Sequence, residues 1–156
     1  TGEKLIAFDP GFGDKNPAQG HYNARLADAG YDLNDVDYVV VTHCHPDHIG
    51  NLTANGNLTF PNAEVVFGET EFVFWKKGEN IPDHRPPTLE MCINVCLPFE
   101  DQARFVKPGD DIVGGVTAVD AFGHSAGHMA YHIESNGQQL MIILEIIQYL
   151  FFYQRS

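Results

Sequence analysis

The sequence predicts a layered fold of mixed helices and strands, an α/β or α+β sandwich. Short apolar runs rich in β-branched residues alternate with segments whose apolar residues recur at helical spacing. Late in the chain, Asn136-Gly137 separates two strand-like runs, and this dipeptide is the strongest short signal for a β-hairpin. Strands and helices in this order, with a hairpin near the end, are typical of a layered sandwich.

The individual elements follow from periodicity and from their boundaries. Tyr38-Val39-Val40-Val41 is a continuous apolar run of the kind found in strands buried on both faces. Tyr22, Leu26 and Ala29 stand at helical spacing, and Gly30 ends that helix. Strands are predicted at 4–8, 37–42, 63–68, 103–106, 116–121, 129–135 and 138–144, and helices at 18–29, 70–77 and 88–97, with another helix starting at 49–54.

Composition indicates one globular domain over residues 1–156. The chain is 44% hydrophobic and 19% charged, which excludes wholesale disorder. Its formal net charge of -12 repels phosphate backbones, so nucleic acid is not expected as a partner. Part of that negative charge belongs to carboxylates that a metal site would collect and neutralise.

Residues 140–156 form an atypical tail, which from Leu140 to Tyr153 is nearly all large and apolar and is broken only by Glu145 and Gln148. The tail is too short and too interrupted for a membrane span, so no membrane contact is expected. It must pack on this chain or on another copy, and packing on another copy would give a homodimer or strand exchange. No signal peptide is visible, which slightly favours a cytoplasmic location without fixing the compartment.

The three cysteines leave several readings open. Cys92 and Cys96 would share one face of the predicted helix, where they would pair, bind metal or pack. Packing is favoured, because a free cysteine behaves as a small buried hydrophobe. Cys44 lies inside the richest group of metal-ligand residue types in the chain.

That group is the segment His43-Cys44-His45-Pro46-Asp47-His48, which directly follows the predicted buried strand at 37–42. Imidazole and carboxylate are good zinc ligands, and a loop at a strand end allows them to converge on one point. A polar loop that caps the next helix through Asp47 is the alternative. His and Asp are costly to bury without partners, so the segment predicts a metal site.

A second histidine group, Gly123-His124-Ser125-Ala126-Gly127-His128, follows the predicted strand at 116–121. Its glycines permit a tight backbone that turns a histidine toward a metal. Taken alone, a histidine in a loop is more often solvated than ligating. Its position after the first histidine group is what supports a ligand role for its histidines.

Together the two groups resemble the metallo-β-lactamase superfamily. The first matches that family's His-x-His-x-Asp-His motif in full, and the second matches its Gly-His-Thr-Pro-Gly-His turn with Ser125-Ala126 in place of Thr-Pro. The loop from Phe8 to Gly13 is similar to the family's early Asp-x-Gly loop. The resemblance covers residues 1–139 and implies an αββα sandwich whose second half is incomplete, so that the chain looks truncated at its C-terminus.

The resemblance also implies roles for single residues. The first zinc would be bound by His43, His45 and His124. Asp47 and His48 would contribute to a second zinc, and Glu145 stands where the family has a bridging Asp. Asp9 and His128 would support the ligands rather than bind metal. The family's final histidine has no counterpart here, so one ion is as compatible with the ligand set as two.

The function implied is metal-dependent hydrolysis of a small molecule. A zinc-activated water would attack the carbonyl of an ester, lactone, thioester or β-lactam, with Asp47 as the catalytic residue that orients it or moves its proton. Iron or manganese would tolerate the same nitrogen and oxygen ligands. The alternative is a shortened, non-catalytic metal-binding domain that self-associates through its apolar C-terminal segment.

Overall fold

The computed structural model of the protein describes residues 4–13, 18–81 and 86–144. These residues form two four-stranded sheets, a small two-stranded hairpin and four α-helices. None of the described helices has the length and apolar character needed to cross a bilayer. In chain order the elements are β1 (Ile6–Phe8), α1 (Tyr22–Asp28), β2 (Tyr38–Val40), α2 (Pro46–Ile49), β3 (Thr53–Ala54), β4 (Asn57–Leu58), β5 (Glu64–Gly68), α3 (Glu69–Lys77), α4 (Pro86–Val95), β6 (Arg104–Val106), β7 (Asp111–Val113), β8 (Val116–Asp120), β9 (Met129–Ser135) and β10 (Gln138–Ile142).

The first sheet is parallel, in the order β1-β2-β5-β6, and the second is antiparallel, in the order β10-β9-β8-β7. Alternation along β2 sends its side chains to two different cores. Val39 joins the buried cluster formed with the helices, whereas Val40 joins the cluster between the two sheets. The described residues therefore stack as helices, parallel sheet and antiparallel sheet.

The layers agree with the predicted αββα sandwich and its incomplete second half. The helices contribute to the first cluster, and within 4–13, 18–81 and 86–144 none contributes to the cluster between the sheets. The outermost strand, β10, keeps Leu140 59% exposed and Met141 41% exposed. The rest of the predicted apolar tail, from residue 145 onward, lies outside the described residues.

The late hairpin is confirmed. Ser135 pairs with Gln138 across a turn in which Asn136 and Gly137 both have positive φ, at 51° and 76°. The helix predicted to start at 49–54 is wrong. Pro46 begins a short helix that ends at Ile49, and residues 53–54 and 57–58 pair as a hairpin around Asn55-Gly56.

Candidate metal centre

The carboxyl end of β2 delivers the first histidine group to the interface of the two sheets. Tyr131 donates a hydrogen bond from its hydroxyl to the Val41 carbonyl at 2.8 Å, and the Met129 amide donates to the Thr42 carbonyl at 2.9 Å. The loop that follows is therefore fixed against β9 of the second sheet. His43 is fully buried and His45 is 5% exposed.

Three imidazoles converge at this point. His43 Nε2 lies 2.9 Å from His45 Nδ1, and His124 Nε2 lies 3.0 Å from the same nitrogen. His124 comes from the loop between β8 and β9, 79 residues further along the chain than His45. The structure thus brings together the three residues that the sequence predicts for the first metal position.

The geometry and chemistry of this donor set suit a metal ion. Three ligand nitrogens within 4.8 Å of one another need only a small outward movement to surround zinc at about 2.0–2.1 Å. Burial, followed by the neighbouring His48 and His45, lowers the pKa of His43 far below its usual range. A neutral imidazole is the form that binds metal, so the site holds His43 in its ligating state.

The residues predicted for the second metal position lie beside this cluster. Nδ1 of His48 lies 2.9 Å from Oδ2 of Asp9, and Nε2 of His48 lies 3.5 Å from Oδ2 of Asp47. Burial alone lowers the pKa of His48, but its hydrogen bonds to Asp47 and Asp9 outweigh burial and raise that pKa to about 9. The hydrogen bond with His48 in turn lowers the pKa of Asp47, whose side chain remains 45% exposed.

Asp9 holds Thr42, the residue that precedes the first histidine group, in place. Its carboxylate accepts hydrogen bonds from the backbone amide of Thr42 at 2.7 Å and from the Thr42 hydroxyl at 2.6 Å, besides its contact with His48. Asp9 adopts a φ of 43°, which an aspartate tolerates better than most residues. Its predicted supporting role stays a prediction, and these contacts are the ones it would use.

His128 packs behind the cluster. Its ring lies 4.5 Å from that of His43, at 34° between the planes, and the side chain is 1% exposed. Burial, and then the nearby His124, lower its pKa to about 4. Its Nε2 is buried and has no hydrogen-bond partner within the described part of the chain.

Glu71, which no sequence pattern predicts, ties the two ligand loops together. Its buried carboxylate accepts hydrogen bonds from the Cys44 amide at 2.9 Å, the Gly127 amide at 2.8 Å and the Ser125 hydroxyl at 2.6 Å. The Trp75 indole donates a fourth, at 2.7 Å. The only signal in the sequence was a carboxylate four residues before a tryptophan in a helix of aromatic residues.

Gly127 is required for this arrangement. A Cβ atom added there would lie 2.1 Å from the Glu71 amide nitrogen and 2.7 Å from its Cα. No side chain fits at that separation, so the loop that carries His124 approaches α3 only because residue 127 is glycine. The second histidine group therefore has the tight backbone that the sequence predicts, and the close contact of Gly127 with α3 explains why a glycine is needed there.

A cleft opens beside His45 and His124. It has a volume of about 370 Å³ and is bordered also by Phe74, Trp75 and Asn80. A neighbouring cleft of about 480 Å³ shares Phe74 and Asn80 with it. Within the aromatic segment 72–75, Phe72 is buried in the core, whereas Phe74 and Trp75 line the cleft.

Other histidines and acids lie apart from this cluster or cannot be placed. His21 is exposed at the start of α1, and His132 lies on β9 opposite Thr117. Glu145, predicted as a possible replacement for a bridging Asp, lies outside the described residues, as does His84.

Comparison with known proteins agrees with this picture. The chain is 28% identical over 120 residues to the N-acyl homoserine lactonase AiiA of Bacillus thuringiensis subsp. kurstaki, covering 76% of this chain and 42% of that relative. It superposes with a TM-score of 0.80 on hydrolase AbOPH of the beta lactamase superfamily, at 28% identity, covering 90% of this chain and 51% of that structure.

A second solved structure gives the same result. AidC, a dizinc quorum-quenching lactonase in complex with a product, superposes with a TM-score of 0.80 at 27% identity, over 90% of this chain and 52% of AidC. The chain thus spans about half the length of these relatives. The family model of the metallo-beta-lactamase superfamily matches residues 1–142, and the chain belongs to that superfamily.

Proposed function

We propose that this chain carries the catalytic part of a metal-dependent hydrolase that opens lactone rings, with N-acyl homoserine lactones as the substrate class. The observation that carries the proposal is the convergence of His43, His45 and His124 at the edge of a cleft. A zinc ion held there would lower the pKa of water to about 7 and polarise a carbonyl group.

The residues around the cluster supply what such a reaction needs. Asp47 stands next to the histidines with its carboxylate partly open to solvent and with a lowered pKa, so it is ionised at neutral pH. An ionised carboxylate at that place orients a water molecule and accepts its proton as the water attacks the carbonyl carbon. His48 lies between two carboxylates, with Nδ1 hydrogen-bonded to Asp9 at 2.9 Å and Nε2 in an ion pair with Asp47 at 3.5 Å, so it would orient the Asp47 carboxylate.

The clefts fit a small polar ring with an apolar tail. The polar end meets His45, His124 and the Asn80 side chain, whereas Phe74, Trp75 and Ala126 present apolar surface. The second cleft shares Phe74 with the first and is lined also by Val73, Lys77 and Glu79, so an acyl chain would find its apolar contacts there at Val73 and Phe74. Two of the relatives described above are lactonases, and this likeness supports the choice of substrate class.

The test compares His124→Ala with His132→Ala in zinc-loaded protein. We expect His124→Ala to lose bound zinc and hydrolysis of N-hexanoyl homoserine lactone, because one of three ligands is gone. His132→Ala is the matched control, since His132 lies on β9 away from the cluster. Unchanged zinc content and unchanged hydrolysis in His124→Ala would contradict the proposal.

A second candidate is a non-catalytic metal-binding domain that self-associates. Leu140, Met141 and Ile143 are 59%, 41% and 38% exposed at the β10 edge of the second sheet, and such a row of apolar side chains favours association between copies. Light scattering and lactone hydrolysis on the same sample separate the two candidates. A metal-loaded dimer without hydrolysis would support self-association, and an active monomer would exclude it.

A further inference from the structure

The fold assembles a second group of metal-ligand side chains, on the other side of the histidine loop. Cys44, Cys92 and Cys96 bring their three sulfur atoms within 4.8 Å of one another, and all three residues are at most 1% exposed. None of them is part of a disulfide. The sequence shows only that Cys92 and Cys96 share a helix face, and the third thiol arrives through the fold.

Hydrogen bonds of the main-chain groups of all three cysteines hold the backbone that carries the thiols. The Cys96 amide donates a hydrogen bond to the Cys92 carbonyl at 2.8 Å, so the two side chains stand one helical turn apart on one face. The Cys44 amide donates to the Glu71 carboxylate at 2.9 Å, which fixes the loop residue against α3. The sulfur cluster is therefore preorganised by the helix and by the buried glutamate.

We propose that Cys44, Cys92 and Cys96 form a binding site for a thiophilic cation of the Cu(I) or zinc type, separate from the histidine centre. Around a trigonal ion with metal–sulfur bonds of about 2.3 Å, the sulfurs stand about 4 Å apart, so the observed cluster needs little contraction. Three soft sulfur donors select such ions over hard cations, which prefer oxygen.

The surroundings indicate a structural site. The three cysteines belong to the buried cluster that also contains Ile49, Phe72 and Val95, and closed, water-free metal sites are typical of structural ions. A bound ion would tie α4 to the loop between His43 and His45. The proposal does not rest on the hydrolase function, because it concerns a different ligand set.

The experiment adds thiophilic probes to reduced protein whose histidine centre has first been filled with zinc. Cd(II) and Cu(I) are titrated separately, and ultraviolet absorption detects sulfur-to-metal charge transfer. We expect one equivalent of at least one probe to produce this absorption, and X-ray absorption of the same wild-type sample to show a sulfur-only shell. The probe that binds identifies the preferred ion.

Two variants and one control locate the site. We expect Cys92→Ala and Cys96→Ala each to abolish the absorption, while Val95→Ala, an equally buried change on α4, keeps it. Circular dichroism checks that each variant is folded, and the wild-type measurement stands even if a variant is not. Absence of sulfur coordination in the wild-type protein with both probes would mean that the thiols only pack, and would overturn the proposal.

Discussion

One loop contributes to both clusters, with His43 and His45 in the histidine cluster and Cys44 in the cysteine cluster, but the surroundings of the two clusters differ. His45 and His124 line a cleft, His43 is buried behind them, and the half-exposed Asp47 carboxylate lies beside His48 in the same loop. Cys44, between His43 and His45 in sequence, joins the thiols of Cys92 on α4 and of Cys96 directly after α4, in the core. Access to solvent and a neighbouring acid suit the first cluster to catalysis, and closure suits the second to a structural role.

Asp47→Asn should have the largest effect of the changes considered, and this effect should be confined to the histidine cluster. The amide cannot accept a proton, so we expect lactone hydrolysis to fall by about 10²–10⁴-fold. Zinc at the three histidines and thiolate absorption with Cd(II) or Cu(I) should both persist. Steady-state kinetics measure the effect, with Asp101→Asn as an exposed acidic control. Full activity in Asp47→Asn would remove the proposed role of this carboxylate.

Glu71→Ala should affect both clusters, since Glu71 contacts the Cys44 amide on one side and Ser125 and Gly127 on the other. Each buried donor left without an acceptor costs about 1–3 kcal/mol, so we expect a loss of roughly 3 kcal/mol or more in the free energy of unfolding. Zinc affinity should fall about 10–100-fold, as for other residues that hold ligands in place.

Glu69→Gln is the matched control for that change. Glu69 lies on the same helix with its side chain 46% exposed, so its loss should leave unfolding and zinc affinity nearly unchanged. Denaturant unfolding and competitive zinc titration supply the two measurements. If Glu71→Ala behaved like the control, the two loops would not depend on this carboxylate.

The difference between the clusters also marks what the sequence could predict. The histidine ligands were predicted because their residue types are costly to bury without a function and because they follow a recognisable buried strand. Glu71 was missed because its four donors come from segments 4 to 56 residues away, a set that no local pattern contains. The cysteine cluster was missed for the same reason, as its third member is distant in sequence.

One local signal of the sequence, Asn55-Gly56, indicates a hairpin that was not predicted. Asn136-Gly137 correctly predicted a hairpin, and Asn55-Gly56 carries the same signal for the β3–β4 hairpin. The second was overlooked because its strands are two residues long and show no alternation. The predicted helix start at 49–54 is wrong, because Pro46 in the first turn of α2 marks an earlier start.

The histidine cluster should also make the chelator-stripped protein sensitive to acid. His43 and His128 have lowered pKa values in the folded state, that of His128 about 4, so between pH 4 and 6.5 the unfolded chain binds more protons than the folded one. Stability is then highest near pH 6.5 within this window and falls as pH decreases, by at most about 1.4 kcal/mol per pH unit for each histidine.

Denaturant unfolding at several pH values between 4 and 6.5 measures this slope. His128→Asn should flatten it, because one of the two neutral rings is gone, while His21→Asn at the exposed start of α1 should not change it. Hydrogen bonds with Cys44 and Cys96 lower the pKa of Cys92 to about 5, so this thiol adds to the slope between pH 5 and 6.5. A flat profile in the wild-type protein would mean that the histidines are not held neutral by burial.

Ser125→Ala should have the smallest effect. It separates the contribution of the serine hydroxyl from that of the backbone amides that also donate to Glu71. It removes one neutral donor to Glu71 while the Gly127 amide, the Cys44 amide and the Trp75 indole still satisfy the carboxylate. We expect a loss of about 1 kcal/mol in unfolding free energy and little change in zinc affinity. A loss as large as that of Glu71→Ala would instead mean that the serine hydroxyl alone holds the loop of His124, and the backbone amides would then be minor partners.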